Sequence, residues 1–228
     1  DAAATFTGAR FRADADLSGA SVGGSVVAPG AEFHGGDNTE DEDASFAGVS
    51  VGNRLDLRDA AFRGGTFDDL RVEGTAQLDG IRFERDASFA GAAFGDRVEL
   101  DEARFGGDTD FREAEFADRV SCRGAAFEGE DNVTDHDAAF DGAAFEAGGD
   151  FEHARFRDGS FAEARFGGPA VFDDAVFERD ATFRDAAFED ASFVEARFHG
   201  DASFAALTAS ERLSFRGAEF RGGDNAAD

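Results

Sequence analysis

The 228-residue sequence predicts an all-β fold in which short extended segments wind about one axis as a β-helix. Three observations predict it. Large apolar residues, mostly Phe, recur at every fifth or sixth position along nearly the whole chain. A small apolar residue, mostly Ala, stands two positions before each of them. No helical period fits the pattern.

The spacing is the first element. From Phe83 the large residues fall at Phe89, Phe94, Leu100, Phe105, Phe111, Phe116, Cys122 and Phe127, with gaps alternating between six and five. Phe151, Phe156, Phe161 and Phe166 are five apart, and Phe172 and Phe177 follow at six and five. A helix needs a period near 3.6 and a coiled coil one of 3.5, so both are excluded.

The partner residue is the second. Of the 28 Phe, 22 have Ala two positions earlier, and Phe67, Phe151 and Phe161 have Gly there. In an extended segment residues two apart share a face. Each repeat therefore turns one small and one large apolar residue inward, with the residue between them outward. A bend must follow each repeat, because a straight strand cannot bury a Phe every five residues on one side.

Strings such as DASFAGAAF, DATFRDAAFEDASFVEARF and EARF resemble the pentapeptide-repeat family in its Phe-centred form. The resemblance implies a right-handed quadrilateral β-helix with four repeats per coil, each central residue stacking on its equivalent one coil further. The six-residue gaps depart from the strict family pattern and are expected to widen alternate corners. Where Phe is absent the register places Leu17, Val22, Val27, Val51, Leu57, Val72, Leu78, Leu100, Cys122 and Ala209 at the centre. With the Phe residues this makes 38 centres, or nine to ten coils. The core is expected to include Phe83, Phe89, Phe94, Phe105, Phe111, Phe116, Phe127, Phe156, Phe161, Phe166, Phe177, Phe188 and Phe198.

A longer repeat of about 94 residues runs through this single domain, residues 1–228. Two similar acidic stretches, 34–45 and 128–139, each span 13 residues between Phe centres: Phe33 to Phe46 and Phe127 to Phe140. Counting each as one step puts sixteen steps, or four coils, between them. Both loops are then expected on one edge, and Asp41 and Asp135 on different edges would break that reading. The terminal GGDN resembles a third such stretch, so a chain that continues is expected.

Composition narrows the function. All 22 basic residues are Arg, and 50 acidic residues give a net charge of −28. Acid excess without Lys resembles proteins adapted to molar salt, where the Debye length is about 3 Å. The charge argues against direct binding of nucleic acid or an anionic membrane. No apolar run approaches the ~18 residues of a membrane span, so a cytoplasmic protein is expected.

Chemistry-bearing patterns are few. Oxygen ligands at alternate positions suit Ca²⁺, which makes Asp37, Asp41 and Asp43, and Asp131, Asp135 and Asp137, metal candidates. Glu42 and His136 stand where an EF-hand loop needs Gly, and a solvated acidic loop is the plainer reading. His34 and His199 each follow a central Phe and should face solvent. Cys122 lies at a centre and should be inert. No nucleophile, phosphate-loop or dinucleotide motif occurs. No catalytic residue and no cofactor are expected. The leading expectation is a non-enzymatic rod that supports or binds another protein. The family resemblance implies an alternative, a DNA mimic acting on DNA gyrase or another type II topoisomerase. A third is a repeat segment of a larger membrane or surface protein.

Overall fold

The computed structural model describes residues 2–35, 44–129 and 137–222. These form 35 strands, nearly all two residues long, joined in a parallel β-solenoid of nine to ten coils with no helix among the described residues. Four faces follow one another around each coil. In the first coil they are Ala4–Thr5 on face 1, Arg10–Phe11 on face 2, Ala15–Asp16 on face 3 and Ser21–Val22 on face 4. Face 2 is a sheet of 10 strands and face 3 one of 9. Faces 1 and 4 merge into one sheet of 16, because Arg165–Val171, Ala187–Ser192 and Thr208–Ser214 run from one face to the next unbroken.

The two gap lengths make two kinds of corner. At the five-residue corners between faces 1 and 2 and between faces 3 and 4 a β-turn closes, as where Ala92 N donates to Phe89 O at 3.1 Å. The third turn residue has positive φ: Gly91 at 63°, but also Glu102 at 59° and His153 at 60°. Among the described residues ten such turns hold a non-glycine residue there. Bulky side chains resist this conformation by roughly 1–2 kcal/mol, so the stacked coils override local preference. Six-residue corners bend without that turn. Two corners between faces 2 and 3 are shortened to five, and there the inward position is Gly65 or Gly159. A Cβ on Gly65 would lie 3.2 Å from the ring of Phe67.

The interior is filled by the expected residues. Phe94, Phe105 and Phe116 are 2, 0 and 1% exposed, and the other expected core phenylalanines are equally buried. Face 2 carries an unbroken column of ten Phe from Phe11 to Phe220. Its rings stack nearly parallel with centroids 4.5 to 5.4 Å apart. Rings of neighbouring faces meet edge to face, as Phe127 does Phe140 at 5.7 Å. Both geometries are favoured by the ring quadrupole. From Phe145 and Phe151 to Phe188 and Phe193, all four faces carry Phe.

One centre needs correction. Val27 faces outward, half-buried, while Val26 and Ala28 point inward at 2 and 1% exposure. Ala28 is therefore the centre, and its carbonyl closes the next turn by accepting from Ala31 N. Val is the larger residue, but the six-residue corner after Val22 puts the inward direction on Ala28. Ala209 does hold a central position, paired with Phe188, but it is exposed, no coil of the described residues lying over it.

Candidate functional site

The corner between faces 2 and 3 gathers the acidic features. The strand Glu32–Phe33 on face 2 leads through residues 34–43 to Ala44–Ser45 on face 3. Ala126–Phe127 leads likewise through 128–137 to Ala138–Ala139. The two segments leave this corner four coils apart. Asp37, Asp41, Asp43, Asp131, Asp135 and His136 lie outside the described residues.

Asp137 is described, and its setting is unusual. Its side chain is 1% exposed, and Oδ2 has no hydrogen-bond partner among the described residues. Arg157 Nε lies 3.8 Å away, an ion-pair distance but not a hydrogen bond. Gly129 packs so closely that a Cβ there would overlap the Asp137 side chain at 2.1 Å. Burial raises the carboxyl to about 6; Asp108 and Asp158 push in the same direction and Arg157 opposes them. Taking a carboxylate out of water disfavours its charged form, and the charges of Arg157 and Arg179 together do not restore it.

Asp137 belongs to a column. Asp86, Asp108, Asp137, Asp158, Asp180 and Asp201 each precede an inward residue of face 3, and those inward residues pair coil to coil. Asp86 accepts from the backbone N–H of Asp108 at 2.9 Å, and Asp180 from that of Asp201 at 2.8 Å. A groove of about 310 Å³ on face 3 adjoins it, bounded by Asp86, Asp108, Asp110 and Asp141 with Arg112. No group of three or more possible ligands has metal-site geometry among the described residues.

Other charged groups are tied into the scaffold. Arg58 grips the buried carboxylate of Asp56 through Nε at 2.9 Å and Nη2 at 2.8 Å, and this holds Asp56 below its usual pKa. Cys122 is buried, and burial pushes its thiol well above the ordinary range, so the thiolate is suppressed. His34 and His153 are exposed beside Glu32 and Glu152, and His199 is half-buried. The Ser88 and Ser160 hydroxyls donate to Asp68 and Asp141.

Sequence reading missed the distribution of charge. On face 2 the residues before and after each Phe hold nine Arg against five Glu, a net positive stripe on a chain of net charge −28. A count by face would have found it, since the register already assigns each residue to one.

The family model described as pentapeptide repeats matches residues 67–114, 89–135 and 161–208, which together cover 117 of the 228 residues. No curated protein matches the chain. No helix among the described residues is long and apolar enough to cross a membrane.

Proposed function

The chain belongs to the pentapeptide-repeat family, and we propose that it is a non-enzymatic rod whose flat outer faces dock a protein. The observation that carries this is where the side chains go. Each coil spends its apolar residues on one continuous core and leaves its charged residues on the faces in regular columns. Such a surface presents a fixed charge pattern over several coils, which suits recognition of an extended partner. Cross-linking in the cells of origin tests it. Cross-links to one protein, confined to one or two faces, support the reading. Turnover of a substrate at a site mapped to the rod, or cross-links scattered over all four faces, overturns it.

A second reading, a DNA mimic on a type II topoisomerase, draws on the net charge of −28. The arginine stripe works against it, because duplex DNA presents negative charge on every side. Inhibition or protection in a supercoiling assay would reverse the order of the two readings.

A further inference from the structure

We propose that face 2 is self-complementary and binds a second copy of this chain, the two rods antiparallel about a twofold axis between the fifth and sixth coils. Face 2 suits such a contact. Its ten strands are separate two-residue segments, each pairing residue for residue with the next, whereas the last strands of faces 1 and 4 run on around their shared corner. At about 4.8 Å per coil it is roughly 45 Å long, and at roughly 12 Å wide it offers about 500 Å² per copy. The total, about 1,000 Å², is at the lower end for a specific interface.

Charge sets the register. Let the axis run along the strands, so that the first coil meets the tenth, the second the ninth, and so on. The residue before each Phe then faces its counterpart before Phe, and likewise for the residue after. Arg10 meets Glu219, Glu32 meets Arg197, Arg63 meets Glu178 and Glu84 meets Arg157, while Ala61 meets Val176. The fifth glutamate, Glu128, faces Gly106 in the coil that carries Arg104. Arg82 meets Arg155, each with a glutamate at hand: Glu84 in the coil of Arg82, and Glu178 already paired with Arg155. Arg12 and Arg221 meet as like charges at the rod ends.

Sliding one copy by a single coil destroys the match. In one direction Glu84 faces Glu128 and Arg63 faces Arg157; in the other Glu32 faces Glu219 and Glu84 faces Glu178. Like charges placed opposite each other select against wrong registers more strongly than matched pairs add affinity. Arg197 has no ion-pair partner within its own chain among the described residues, and the dimer adds it to Glu32, whose carboxylate already meets Arg10 and His34 within its own chain. Repulsion between the two acidic rods is screened beyond a Debye length of roughly 8–10 Å at moderate salt, whereas the contact pairs are not.

Sedimentation velocity on the full chain tests this with Arg197→Glu, Glu32→Arg and the double variant, all at surface positions and checked for fold by circular dichroism. The wild type should dimerise, and each single reversal should weaken the dimer by about tenfold or more. The double variant should return toward wild-type affinity, because both contacts of the twofold are reversed together. Residues 32 and 197 lie seven coils apart in one chain, roughly 34 Å, so no contact within the chain can produce that rescue. A wild type that is monomeric at every concentration, single variants that dimerise unchanged, or a double variant no better than the singles overturns the proposal.

Discussion

Asp101 accepts a hydrogen bond of 2.6 Å from the hydroxyl of Ser121, one coil further on, and another of 2.9 Å from the backbone N–H of Arg123. The same clasp recurs where Asp68 meets Ser88, Asp141 meets Ser160, and Asp173 meets Ser192. Part of the acidity is therefore structural: these carboxylates hold one coil to the next. Asp101→Ala leaves Ser121 and a turn N–H without their acceptor and should cost about 1–2 kcal/mol. Among the described residues Asp118 bonds only to the N–H of its neighbour Arg119, so Asp118→Ala should change stability by less than about 0.5 kcal/mol. Thermal melts of the two variants check the difference, and equal shifts would remove the clasp.

The buried carboxyl of Asp137 gives a pH signature. It keeps its proton to about pH 6 in the fold, against 3.8 for an unperturbed Asp. Between those values the folded state binds more protons than the unfolded chain, so stability falls as pH rises from about 4 to 6 and stays lower above. Asp137→Asn should gain about 1–2 kcal/mol near pH 7.5, allowing for solvent screening, and nothing near pH 4. Melting temperature against pH for both proteins checks this. The same titration with about 1 mM calcium examines the acidic loops: an unchanged curve is expected of a solvated loop, and a calcium-dependent rise of a bound ion.

The Phe column should be strongest in the middle. Phe127 is buried between Phe105 and Phe156, 5.0 Å from each ring. Phe220 stacks on Phe198 alone and is 52% exposed. Truncating the first to Ala should cost about 3–5 kcal/mol and truncating the second under about 2. Urea unfolding of both variants measures the gap.

Much of this was legible in the sequence. The alternation of small and large apolar residues fixes which side chains point inward, and the five/six rhythm assigns each to a face. Val27 was misplaced because size suggested the centre while the corner length decided it. The clasps were legible too: an Asp just after one centre and a Ser just before the next on the same face, as at Leu100-Asp101 and Ser121-Cys122. Asp137 was not. Gly129 packs against its side chain, a three-dimensional contact that spacing does not encode.

Two glycines separate conformational from steric need. Gly124 has φ of 63°, a position where other turns hold Asp, Glu or His, and a Cβ there would come no closer than 3.5 Å to Glu102. Gly124→Ala should therefore cost about 1 kcal/mol, the left-handed penalty alone. At Gly107 a Cβ would lie 2.4 Å from the backbone of Arg85 and Asp86 in the coil before. Gly107→Ala must push two coils apart and should cost about 3 kcal/mol. Equal melting temperatures for the two variants would mean that the corner yields.

Salt should stabilise the rod, and the reason lies in the column from Asp86 to Asp201. Adjacent members of this column are one coil apart, about 4.8 Å. At that distance two full charges repel by about 0.9 kcal/mol even in bulk water. At 0.1 M salt the Debye length of about 10 Å reaches across two coils; at 1 M it is about 3 Å, shorter than the step. Melting temperature should therefore climb steadily between about 0.1 and 3 M potassium chloride. Asp158→Asn, which interrupts the column beside Asp137, should flatten that climb. A melting temperature indifferent to salt would mean that the carboxylates are already neutralised within the fold, by the arginines or by one another's protons, and would leave the acid excess without a role in tolerance of salt.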